Sequence, residues 1–224
     1  MMVATDPSET AASGGSAESD ADALRAWRAA CPELRALWDE REPVTAWEWL
    51  GFGEAGGADA GRVVEVSISL RGLSGDVPAA VGGLTALKTL RLDGNKLTSV
   101  PAALGGLTAL TGLFLGGNQL TSVPAELGEL TALERLKLGG NRLTRVGSVP
   151  EELGGLTALT ELDLSGNQPT CVPAALGVGR CETKAIDTRV VIAWFQRALF
   201  LSQNMTNCYQ LLPSNSTCGT TSRG

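Results

Sequence analysis

Leu87-Lys88-Thr89-Leu90-Arg91-Leu92-Asp93-Gly94-Asn95-Lys96-Leu97-Thr98-Ser99-Val100-Pro101 alternates apolar and polar residues and then turns at Gly94-Asn95. Leu90 and Leu92, with polar neighbours between them, carry the period-two signature of a short strand with one buried face. The phrase returns from Leu110 and Leu133, so Asn95, Asn118 and Asn141 stand 23 residues apart, and Asn167 follows after 26. The copy from Leu159 reads LTELDLSGNQP, with Pro169 where Leu97, Leu120 and Leu143 stand in the others. A degenerate earlier copy opens at Val63, with Val66 and Ile68 at the strand positions and Arg71 at the Asn position. A period of this length means stacked coils, and five coils exceed the minimum of about three that such arrays need.

Every coil runs in the same direction, so the strands form a parallel sheet. Leu87, Leu97, Val100, Leu104 and Leu107 point inward from the rest of the turn. The asparagines fall where each strand ends and the chain turns inward. Their amides either form a ladder that serves backbone groups of adjacent coils or are exposed residues chosen for turn conformation; their phase with the buried leucines favours the ladder. Gly94, Gly117, Gly140 and Gly166 precede them and permit a left-handed turn. Pro101, Pro124, Pro150 and Pro173 open segments of the form A-A-L-G or E-E-L-G, which suit a single helical turn on the convex side. Short turns beside a row of strands make the stack curve.

The chain has 224 residues and no histidine, which excludes Ser-His and Cys-His catalysis. Residues 1–62 carry 5 Lys/Arg against 12 Asp/Glu, residues 63–176 carry 8 against 10, and the remainder 5 against 2. No large basic face is available for nucleic acid. The first twenty residues have neither a basic start nor an apolar core, so they do not read as a secretory signal. The longest apolar run, Val190 to Leu201, is too short to span a bilayer. A cytoplasmic protein is expected, with Cys31, Cys171, Cys181, Cys208 and Cys218 mostly reduced. With no His and no CxxC, no metal or other cofactor is expected.

Residues 1–19 read as disordered, 20–62 as an N-terminal cap, 63–176 as the five-coil array and 177–224 as a C-terminal segment. In the cap, Ser19 with Asp22 makes an N-terminal capping signal, and Leu24, Trp27, Cys31, Leu34 and Trp38 recur at helical spacing. Pro32 splits that pattern into two helices. The aromatics of Ala46-Trp47-Glu48-Trp49-Leu50-Gly51-Phe52 are expected to pack on the open end of the first coil. Leu143 to Pro150 carries three extra residues, read as a local bulge. Beyond Leu176 the repeat stops, and residues 186–201 are offered as a capping helix before a flexible tail; a membrane-surface helix or an unrelated tail are the alternatives. Asn204-Met205-Thr206 and Asn215-Ser216-Thr217 match the glycosylation pattern by chance.

These phased residues resemble the leucine-rich repeat family, specifically the 23-residue class of intracellular Ras-scaffold-type proteins. Gly61 to Pro78, with the preceding Trp47-x-Trp49-x-Gly51 segment, is similar to the plant-type first repeat and N-terminal cap. That cap normally has a cysteine pair around its Trp motif, which is missing here. The resemblance implies an α/β solenoid, with a curved parallel sheet on the concave face, short helical turns on the convex face and a helical cap. It also implies a binding scaffold only, and the expected protein is a non-enzymatic, monomeric scaffold or adaptor in intracellular signalling that binds a protein partner. The alternatives are a truncated plant-type receptor ectodomain and a regulatory or substrate-recognition subunit of an enzyme complex.

Outward strand positions are where such a partner would bind: Glu65, Ser67, Thr89, Arg91, Asp93, Phe114, Arg135, Lys137, Glu161 and Asp163, with the ladder Asn95, Asn118, Asn141 and Asn167 behind them. Phe114 is the odd member, an aromatic at an outward phase, and the flanking Gly112 and Gly116 are expected to leave its ring uncovered. The basic pair Arg135/Lys137 and the acidic pair Glu161/Asp163 either pair across the sheet or orient a partner anchored on Phe114.

Overall fold

The computed structural model describes residues 17–144 and 148–167. Most of residues 1–19, the insertion at Arg145-Val146-Gly147, Pro169 and the whole of 177–224 lie outside the described residues, as do the other four cysteines and both glycosylation-like triplets. Helix α1 (Ala17–Ala30) buries Ala23, Leu24 and Trp27. Helix α2 (Pro32–Leu37) starts on its proline and buries Leu34. Cys31 between them is extended, so Pro32 does divide the apolar stripe. The capping signal at Ser19 is corrected: Ser19 lies inside α1, because the helix already runs from Ala17 and the backbone there is helical.

Six strands form one sheet in the order β1-β2-β4-β6-β7-β8. β1 (Leu50–Phe52) runs antiparallel along the edge of β2 (Val63–Ser67). β2, β4 (Thr89–Arg91), β6 (Gly112–Phe114), β7 (Arg135–Lys137) and β8 (Glu161–Asp163) are parallel, with Val66, Leu90, Leu113, Leu136 and Leu162 in register. These inward residues and Ile68, Leu92, Leu115, Leu138 and Leu164 belong to one apolar cluster that continues unbroken from Ala23 in α1. No coil could bury its leucines alone; each supplies a wall for the next. A second, two-stranded parallel sheet pairs β3 (Ser74–Asp76) with β5 (Lys96–Ser99).

Each convex segment is one short 3-10 turn beginning after its proline: Ala79–Gly83, Ala102–Gly106, Ala125–Glu129 and Glu151–Gly155. Successive turns touch backbone to backbone at a glycine. A Cβ on Gly82 would meet Ala103 O at 2.7 Å, one on Gly105 would meet Glu126 O at 2.5 Å, and one on Gly128 would strike Glu152 O. These glycines set how closely the convex side closes.

The asparagines form the inward ladder. Asn118 Nδ2 donates to Leu92 O and Leu115 O, each at 3.0 Å, and its Oδ1 accepts from Leu97 N at 3.0 Å. Asn95 and Asn141 repeat the arrangement at 5% and 7% exposure, joining each coil to the one before it. Asn167 makes the same bonds but is only part-buried. Gly94, Gly117, Gly140 and Gly166 stand before them at φ of 64 to 68°. The first coil has Leu70 there instead, at φ 57° and 79% exposed.

The cap closes the open end of coil one with tryptophans. Trp27 meets Trp38 edge-on at 6.2 Å, and Trp38 stacks on Trp47 at 4.9 Å. Two of the three buried indoles donate to the cap backbone, Trp38 Nε1 to Glu48 O and Trp47 Nε1 to Asp39 O. An ion pair locks cap to array: Asp20, 1% exposed, receives Arg62 Nε and Nη2 at 2.8 Å and Val63 N at 2.9 Å. Of the aromatic segment, Trp47 is buried in the core cluster through its stack on Trp38, and Trp49, half-buried, meets coil one through Arg71. Trp49 has a φ of 67°, and the Arg71 guanidinium carbon lies 4.1 Å from its ring centroid.

Candidate functional site on the concave face

The strand register arranges the outward side chains in two rows. Glu65, Thr89, Gly112, Arg135 and Glu161 form the first, and Ser67, Arg91, Phe114, Lys137 and Asp163 the second. Strands lie about 4.8 Å apart, so neighbours in a row are in reach of one another. Asp93 sits two residues beyond β4, where its carbonyl accepts from Leu70 N at 2.9 Å. The fold thus gathers all ten predicted contact residues on one surface.

Phe114 lies at the middle of this surface, and its ring is not uncovered as its glycine flanks suggested. Arg91 reaches over it, with the guanidinium carbon 4.4 Å from the ring centroid, and Arg135 approaches to 5.8 Å from the other neighbouring strand. Gly112 is buried rather than open, because the Phe114 ring folds back across it; a Cβ there would meet Cε2 at 2.9 Å. The glycine therefore makes room for the ring and does not bare it. Sequence reasoning placed Arg91 on this face without seeing its cation–π role, since Arg91 and Phe114 are 23 residues apart and adjacent only through coil stacking.

The charges pair diagonally. Lys137 Nζ holds the Glu161 carboxylate, although Arg135 is the register partner of Glu161. Arg91 and Glu65 stand 3.8 Å apart with side chains 42% and 47% exposed, an ion pair too long for a hydrogen bond. Asp163 Oδ1 accepts from Ser165 N at 2.9 Å, and its carboxylate lies over the bare backbone of Gly139. The face is thus positive at its centre and negative toward both ends.

Away from this face, the Cys31 thiol is buried, and that burial, helped by its hydrogen bond to Glu33, pushes its pKa up to about 11. It is a poor nucleophile at neutral pH. Among the described residues no three His, Cys, Asp or Glu side chains stand together as a metal site, and no helix is long and apolar enough to cross a membrane.

Residues 67–177 match the model of a leucine-rich repeat region. The fold of the array is that of a leucine-rich repeat solenoid. Its fold is shared with the BIR2 ectodomain from Arabidopsis thaliana, at a TM-score of 0.60 and 23% identity over 71% of this chain and 86% of that one. A chain in the crystal structure of the BIR3–SERK2 complex from the same plant gives 0.59 at 25% identity, covering 69% and 85%. In sequence, 90 residues of the chain, 39% of its length, are 41% identical to the receptor protein kinase WSS1 of Oryza sativa subsp. japonica. The chain spans only 9% of that relative.

Proposed function

We propose that this leucine-rich repeat chain is a non-catalytic protein-binding module that engages one partner on the concave face, with Phe114 as anchor. The observation that carries the reading is the Arg91, Phe114 and Arg135 cluster at the centre of an otherwise small or charged surface. Aromatic and Arg side chains on rigid strands contribute most to interfaces, since little conformational freedom is lost on binding. A monomeric adaptor or scaffold in cytoplasmic signalling, of the Ras-scaffold-like kind, remains the leading form of the proposal. A cap closed by stacked tryptophans and the Asp20–Arg62 pair supports it, because neither depends on an oxidising compartment.

The second reading is a receptor-ectodomain-like recognition module. The extended likeness to a chain of the BIR3–SERK2 complex favours it. Affinity capture followed by mass spectrometry, comparing the native chain with a Phe114→Ala/Arg135→Ala variant of unchanged melting temperature, tests the shared core of both readings. Loss of the captured partner is expected; retention sinks the concave-face proposal. Localising a tagged chain separates the two forms.

A further inference from the structure

We propose that the Arg91, Phe114 and Arg135 cluster receives an acidic side chain, so that the partner is an extended protein segment with a carboxylate at its centre. The inference rests on the concave-face reading and names the chemistry of its ligand.

The argument starts from the register. Glu161 is the strand partner of Arg135, yet its carboxylate is taken by Lys137. Among the described residues Arg135 enters no ion pair, and its described side-chain contact is the Phe114 ring. Arg91 faces Glu65 only at 3.8 Å, so that carboxylate accepts no hydrogen bond from it. Two guanidinium groups therefore approach one aromatic ring with most of their N–H donors unspent. Each guanidinium has five donors in a planar fork that matches a carboxylate, and stacking on an aromatic ring holds that fork in place before a ligand arrives. An aromatic neighbour also excludes water and strengthens the pairing.

The surrounding charges restrict the ligand further. Glu65 lies on one side of the cluster and Glu161 and Asp163 on the other, with Asp93 beyond β4. A uniformly acidic chain would be repelled at both ends of the face. A segment with one or two central acids and neutral or basic flanks meets the face with complementary sign throughout. Gly116, two residues on from Phe114, carries no side chain, whereas Gly139 beside it is covered by Asp163 and Ser165, so an extended chain approaches the backbone on the Gly116 side.

The test uses a display library of randomised octapeptides fused at both ends, so that every carboxylate is a side chain. Selection on the native protein is expected to enrich Asp and Glu about fivefold at one central position, and substituting Gln for that residue should weaken the best peptide about tenfold. Arg91→Gln/Arg135→Gln should abolish the enrichment without moving the melting temperature. Arg135→Glu should select Lys or Arg at the same position, a reversal that a merely unfolded variant could not produce. Absence of acidic enrichment, or its persistence in the double variant, overturns the inference. Phe114→Ala separates the two levels: neutral binders lost in that variant leave the concave-face reading standing while the carboxylate proposal fails, and binders unaffected by it defeat both.

Discussion

Replacing Asn118 by Ala should break the link between the second and third coils, and the loss can be worked bond by bond. The side chain is 6% exposed, so water cannot readily replace it. Leu97 N has the Asn118 Oδ1 as its described acceptor and becomes an orphaned buried donor. Leu92 O and Leu115 O each lose one donor but keep another, from Asn95 Nδ2 and Asn141 Nδ2 respectively. An orphaned buried donor costs about 1–3 kcal/mol, and each lost secondary bond about 0.5–1. The sum is about 3 kcal/mol, which for a domain of this size lowers the melting temperature by roughly 6–12 °C. Asn167→Ala removes the same bonds from a part-buried site and should cost less than half as much. Urea unfolding followed by circular dichroism measures both. A change below about 0.5 kcal/mol for Asn118→Ala, or an equal cost at the two positions, would show that the ladder is not what ties the coils together. Asn118→Asp sharpens the test. Its carboxylate would face the Leu92 and Leu115 carbonyls, raising its folded pKa above the usual value of about 3.9. Stability should then be highest at acid pH, where the protonated acid still donates, and fall as pH rises through the folded pKa.

Asp20→Ala takes the bidentate carboxylate from the largely buried Arg62, which keeps its bond to Thr85 Oγ1, and removes the Asp20 acceptor of Val63 N, so it should cost about 3 kcal/mol and loosen the cap; hydrogen exchange in α1 should rise before exchange in β6. Gly105→Ala drives a methyl into the backbone of the next convex turn and should cost about 1–3 kcal/mol, whereas Gly106→Ala, where a Cβ meets nothing, should stay within about 0.5, by the same urea assay. Leu70→Gly relieves a left-handed backbone at an exposed site and should be neutral or stabilising by up to about 1 kcal/mol; a clear loss would mean the side chain has a packing role. In a variant whose other four cysteines are Ser, Cys31 should resist thiol reagents at pH 8. Because its folded pKa is raised, its contribution to stability is complete below the unfolded value and is lost as pH climbs toward about 11.

The repeat period determined a great deal. Which leucines face inward, where the strands begin, which glycines carry left-handed turns and that the asparagines sit at the turn all follow from phase, because a solenoid applies one local rule at every coil. The helical stripe from Leu24 to Trp38 was legible for the same reason, and Pro32 marked its division. The ten outward residues were legible as a surface.

What each of them touches was not. Arg91 and Phe114, or Lys137 and Glu161, are separated by a whole coil, and register alone offers Arg135 and Lys137 equally to Glu161; the diagonal choice is made by side-chain reach in three dimensions. Trp47 and Trp49 look equivalent in sequence, yet Trp47 is buried while Trp49 is half-buried at a positive φ, a backbone state that no residue type other than Gly announces. Gly82, Gly105 and Gly128 read as helix ends in one dimension, and only stacking shows that each is a point where two backbones meet. The sequence by itself determined the framework, since each coil repeats short-range rules of spacing and turn. The tertiary structure alone decided the contacts across coils, since those depend on distances that a single period does not contain.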